Sequence, residues 1–155
     1  MREEITQAVK DAMKSGDKKR LSTLRLMNAA IKDRDIAARV DTKGQATGKE
    51  RVDDKEILAL LQKMIKQRRE SAEIYKTGGR NELASQEEAE IKVIEEFLPE
   101  QMSAEETSKA IHSLIEEMSC SGLKDMGRTM TALKERYSGR MDFSKASALV
   151  KEKLK

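Results

Sequence analysis

The sequence predicts an all-α protein, and three observations carry that expectation. Ala, Leu, Ile, Glu, Lys and Met dominate the 155 residues, while aromatics make up only 3%. These are helix-forming residues, and nothing in the composition suggests a sheet. Apolar residues recur at helical spacing along most of the chain. The only proline, Pro99, ends one long helical pattern just before a new helix start at Ser103. Proline lacks a backbone N–H and clashes with the preceding turn, so the helix through Glu95 and Phe97 should stop near Leu98. The expected organisation is an N-terminal helical domain of about four helices over 1–98. A small three-helix C-terminal domain should follow over 99–155.

Residues 2–14 read as a short helix with Ile5, Val9, Ala12 and Met13 on its apolar side. Glu3 and Glu4 suit its first turn. Ser15-Gly16 ends it, because glycine takes the left-handed cap conformation without steric cost. Asp17 should cap a second helix over 18–38. Leu21, Leu24, Met27 or Asn28, and Ile31 form its stripe, and Arg25, Lys32, Arg34 and Arg39 lie mostly off it. Residues 41–50 have two glycines and no periodicity, so a mobile loop between antiparallel helices is expected.

Asp53 with Glu56 fits a capping box, and the helix that follows should reach about Lys76. Its stripe is Ile57, Leu60, Leu61, Met64, Ala72 and Tyr75, and Arg68 sits where an apolar residue could. Thr77-Gly78-Gly79 stops it. Residues 81–97 form an acidic amphipathic helix carrying Leu83, Ala84, Ile91, Ile94, Phe97 and Leu98. The N-terminal part is thus expected to run up and down.

Ser103 with Glu106 makes a second capping box. Residues 104–118 carry Ile111, Leu114, Ile115 and Met118. Residues 125–137 carry Met126, Met130, Leu133 and Tyr137. A last helix from Phe143 to Leu154 carries Ala146, Leu149, Val150 and Leu154. Three helices in about 55 residues are marginal alone, so this part is expected to dock on the first.

Charge is segregated along the chain. Residues 1–80 carry 20 Lys/Arg against 13 Asp/Glu, a net of +7, and residues 81–121 carry 2 against 11, a net of −9. Residues 122–155 carry 9 against 4, a net of +5, so the whole is +3. Such blocks steer polyanions or pair with each other, although solvated faces are the ordinary role of helical charge. No apolar run approaches a membrane span and no basic-then-apolar signal opens the chain. A single cysteine, Cys120, excludes an internal disulfide and suits a reducing compartment. The expectation is a soluble cytoplasmic protein with no membrane contact.

Reactive chemistry is thinly represented. His112 reads as a helix surface residue and Cys120 as a small apolar filler. No paired Cys/His spacing offers a zinc site, and no nucleophile elbow surrounds any serine, so neither a metal nor a catalytic residue is expected. Carboxylate pairs such as Glu87-Glu88 and Glu105-Glu106 read as solvated. Gly44 to Gly48 lacks the spacing of a phosphate-binding loop. Gly122 to Thr129 has the glycine spacing with Arg128 for lysine, but helix precedes it where a strand is required. Gly127 is expected instead to let another helix approach closely. No cofactor is predicted.

Several short motifs carry a family resemblance. Arg68-Arg69-Glu70-Ser71-Ala72, Tyr75, Gly78-Gly79-Arg80 and Glu82-Leu83-Ala84, leading into Phe97-Leu98-Pro99, resemble the YqeY proteins. Asp125-Met126-Gly127-Arg128-x-Met130 and Leu149-Val150-Lys151 are similar to their C-terminal part. That part resembles the tail domain of GatB, a subunit of the tRNA-dependent amidotransferase acting on Glu-tRNA(Gln) or Asp-tRNA(Asn). The resemblance covers essentially the whole chain, and its order and spacing are more specific than any one piece. Thr131, Lys134 and Glu135 make the middle C-terminal helix more polar than the family pattern, and Phe143 stands at the turn into the last helix.

The resemblance implies a two-part helical protein lacking the amidotransferase's catalytic body. The function expected is a non-catalytic accessory associated with tRNA or another RNA, or with a translation-related protein. Candidate RNA-facing residues are Lys124, Arg128, Lys134, Arg136, Arg140 and Lys145, with a second patch at Lys63, Lys66, Arg68 and Arg69. Six phosphate contacts of single-strand type would make log K fall with log salt at a slope of roughly −4. Aromatics for stacking are nearly absent, which favours recognition of shape and backbone. Two alternatives stand beside this. One is a carbon–nitrogen ligase using glutamine as amido donor. The other is an adaptor docking a basic partner on the acidic 81–121 block.

Overall fold

In the computed structural model, which describes residues 1–155, every regular element is a helix. Helix α1 spans Arg2–Ser15 and closes at Gly16, which has φ 72°. Asp17 accepts the Arg20 N–H to open α2, Lys18–Ala38. Helix α3, Asp54–Thr77, starts on a complete Asp53/Glu56 capping box. Helix α4 is Asn81–Glu95. It ends two residues short of the sequence pattern, because Phe97 and Leu98 bond back to the Ile94 and Glu95 carbonyls in a tighter i→i+3 turn. The chain divides into two compact units, Met1–Leu98 and Pro99–Lys155.

In the first unit α2 touches all three other helices, and α3 packs most extensively on α4. Ile5, Leu24, Met27, Ile57, Leu61 and Ile94 fill the core. These all lie on the stripes read from sequence. Met13 does not join them and is 56% exposed. Ile65 and Val52 are buried although no stripe included them. Helix α3 is packed from two sides, by α2 and α4, so its buried face is wider than a single stripe. Segment 41–50 carries its own hydrogen bonds: Val40 and Ala46 form an antiparallel bridge, and the Asp41 carboxylate accepts the Lys43 and Gln45 N–H groups.

In the second unit the Ser103/Glu106 capping box opens α5, Ala104–Glu117. A 3-10 turn, Leu123–Asp125, leads into α6, Met126–Arg136. The sequence pattern expected plain helix from residue 125. Instead the Asp125 N–H bonds the Gly122 carbonyl in the tighter register. Asp142 caps α7, Phe143–Lys153, accepting the Ser144 and Lys145 N–H groups. Each of these three helices contacts the other two around Ile111, Leu114, Leu133, Met141, Ala146 and Val150. Gly127 does not admit a neighbouring helix: a Cβ there would meet nothing within 4 Å.

Candidate nucleic-acid interface

The basic residues of the second unit fall into two groups. Some are held by carboxylates or carbonyls. Arg136 and Glu117 form a two-point pair at 2.8 and 2.7 Å, which holds the Glu117 carboxyl below its ordinary range. The Arg140 Nε donates to the Glu100 carbonyl at 3.1 Å, while its own carbonyl accepts the Met102 N–H. Arg140 therefore fastens the segment after Pro99 onto the turn between α6 and α7. Lys124, Lys134 and Lys145 are exposed and form no ion pair.

Arg128 lies between the groups. It is half exposed, 3.3 Å from Asp125 and 3.6 Å from the Cys120 sulfur. Asp125 also accepts the Ser121 N–H at 2.7 Å. That backbone bond, then Arg128, lowers the Asp125 pKa against the opposing effect of burial. Asp125 is thus a local organiser: it fixes the turn after Cys120 and orients Arg128. The Thr129 hydroxyl is buried 2.8 Å from the Asp125 carbonyl and 3.2 Å from the Cys120 sulfur. Cys120 packs half-buried against the core of the second unit, as the filler expected, with the Thr129 hydroxyl and Arg128 beside its sulfur. His112 is exposed beside Glu116 at 3.3 Å.

The first-unit patch is more heavily neutralised. Arg68 is half-buried, and its Nε donates to Glu90 at 3.0 Å across the α3–α4 seam. Arg69 pairs with Glu95 at 3.3 Å and Lys76 with Glu88 at 2.5 Å. Lys63 and Lys66 stay exposed without an ion pair. A shallow groove of about 510 Å³ there is lined by Arg69 and Lys92 but also by Glu73, Glu88 and Glu95. Its charge does not suit a polyanion.

The same pairings occupy the acidic block. Glu88, Glu90, Glu95 and Glu96 bind cations of the first unit, and Glu117 binds Arg136. Glu87 and Glu88 are half-buried, not simply solvated, and burial followed by Glu90 raises the Glu87 pKa. No three His, Cys, Asp or Glu side chains converge as a metal site would need. No helix is long and apolar enough to cross a membrane.

The polarity of α6 and the positions of Arg128 and Lys134 were readable from sequence, but the open space at Gly127 beside them was not. Arg128, Thr131 and Lys134 recur at i, i+3 and i+6 and are all exposed, beside the bare Gly127. The signal available was that spacing, taken together with a glycine in the first turn of a helix, where no left-handed conformation requires one.

Two helical units, surface cations and a polar, glycine-bearing α6 define the class: an all-helical protein with charged outer faces. The chain belongs to the YqeY-like protein family, matching it over residues 2–154. It is 33% identical over 90 residues to the "Altered inheritance of mitochondria protein 41, mitochondrial" of Vanderwaltozyma polyspora. That match covers 58% of this chain and 44% of the yeast protein, so the chain spans under half of that relative. It is 32% identical over 99 residues to an uncharacterised Schizosaccharomyces pombe protein, covering 64% of this chain and 72% of that one.

Proposed function

We propose that this protein is a non-catalytic accessory that holds an RNA, tRNA first among candidates, by its phosphate backbone through the second unit. The observation that carries the reading is the exposed α6 row of Arg128, Thr131 and Lys134 beside bare Gly127, in which Arg128 meets Asp125 while Lys134, like Lys124 and Lys145, forms no ion pair. Lysines without intramolecular partners can release counterions from phosphates without first breaking an ion pair. A glycine with open space above it leaves room for a close backbone approach. The resemblance of this unit to the GatB tail points to tRNA among RNAs. Arg68, Arg69 and Arg136 enter the proposal as struts that shape their units. Lys63 and Lys66 provide a weaker second contact.

We place this role in the cytoplasm, where a lone Cys120 stays reduced. The mitochondrial designation belongs to the yeast relative.

The test is a titration of fluorescently labelled tRNA into the full chain. The double variant Lys124→Glu/Lys134→Glu should weaken binding at least tenfold and keep the parent's thermal melt. Equal binding by the parent and the double variant would remove the proposal.

A further inference from the structure

Helix α2 is apolar on two sides. Its inner side holds Leu24, Met27 and Ile31 in the core, yet Leu26 and Ile36 on the opposite side are 48% and 50% exposed. Within the helix the outer residues follow the 3-4-3 spacing of a coiled-coil seam, Leu26, Ala29, Asp33 and Ile36, and exposed Val40, which bridges Ala46, lies just beyond its end. Lys18, Arg25, Lys32 and Arg39 run beside that seam at intervals of seven, about 10 Å apart along the axis. If Leu26 is an a position, all four cations are g positions. None of the four forms an ion pair, and a shallow groove of about 380 Å³ opens at Leu21, Arg25 and Leu26.

We propose that the outer face of α2 docks an acidic amphipathic helix of another protein. The expected partner helix has large apolar residues on its own seam, Glu or Asp along the edge facing the cationic row, and a Lys or Arg opposite Asp33. Charge complementarity selects this occupant. An antiparallel second copy would set cationic g rows against each other. A parallel copy would face the cations with Thr23, Ala30 and Ala37, and Asp33 with itself. A lipid surface would bury the unpaired Asp33 carboxylate within the apolar line, which is unfavourable. Phosphates gain nothing from Leu26, Ile36 and Val40. This inference is independent of RNA binding through the second unit.

The test uses a synthetic four-heptad peptide with Leu and Ile at a and d, one central Lys at a, and Glu at e and g. Its like charges keep it unfolded alone, so helix gained on mixing with the full chain reports docking by circular dichroism. A matched peptide with Lys in place of Glu is the control, and vesicles containing phosphatidylglycerol form a separate arm. The acidic peptide should bind with gain of helix, and the basic one should not. Leu26→Asp/Ile36→Asp should weaken docking at least tenfold with an unchanged thermal melt, since both side chains are half exposed. Arg25→Glu/Lys32→Glu should reverse the charge preference. The proposal is overturned if the acidic peptide fails to bind, if both peptides bind alike, or if Leu26→Asp/Ile36→Asp docks as the parent does. Vesicle binding lost in that same variant would also overturn it, in favour of a lipid occupant.

Discussion

Arg2 and Asp35 hold each other through two hydrogen bonds, at 2.8 and 2.6 Å, and together enclose the backbone of Val52. The Val52 N–H donates to Asp35 at 2.8 Å, and its carbonyl accepts from Arg2 at 2.9 Å. Val52 lies in the segment entering α3 and is buried, so both of its polar groups need partners there. One ion pair therefore ties the start of α1, the C-terminal half of α2 and the approach to α3.

Replacing Asp35 with alanine should destabilise the protein by about 3 kcal/mol, because it strands the Arg2 charge and the Val52 N–H together. A urea unfolding curve measures this directly. A midpoint equal to the parent's would show that the pair contributes nothing.

Acid should act through the same contact. The Arg2 hydrogen bond, opposed by burial and aided by the Val52 N–H, lowers the Asp35 pKa from 3.8 to about 2. A depressed carboxyl pKa means stability that is fully present above the unfolded value and is lost as pH falls through the folded value. Unfolding free energy should thus drop by on the order of 2 kcal/mol between pH 4 and pH 2 through this group. Asp35→Asn should flatten that part of the profile. Parallel profiles for parent and variant would contradict the assignment.

Local signals were legible and distant pairings were not. Both capping boxes, Asp53/Glu56 and Ser103/Glu106, are written within four residues, and both form. Asp35 finds Arg2 33 residues away, a relation no periodicity encodes. The outer seam of α2 is not legible as a stripe, because apolar residues on two sides give no single dominant one. For the candidate interface, the positions of the cations were readable but their freedom was not. Arg68 and Arg136 are held by Glu90 and Glu117, 22 and 19 residues distant, whereas Lys124 and Lys134 form no ion pair.

Gly127 offers a separation of stability from function. With open space at its Cβ position and a helical location, Gly127→Ala should stabilise the protein by up to about 1 kcal/mol. The same methyl should weaken RNA binding if the bare backbone meets the ligand. Thermal melting and a tRNA titration on one sample check both. A variant that is more stable and binds RNA unchanged would dismiss the glycine from the interface.

The second unit rests on a small core. Leu133 is fully buried among Ile111, Leu114 and Val150. Leu133→Ala should cost about 2–5 kcal/mol. Hydrogen exchange should then show faster exchange within residues 104–153 than in the parent. Unaltered protection there would mean the cluster adapts without loss.

The salt dependence of tRNA affinity tests most directly whether this protein grips RNA by its backbone. With Lys124, Arg128, Lys134 and Lys145 each meeting a phosphate, a plot of log K against log salt should be linear with a slope of about −3. It should become shallower by roughly one for each of these cations replaced by glutamine. A slope near zero, or no measurable binding at low salt, would contradict the account.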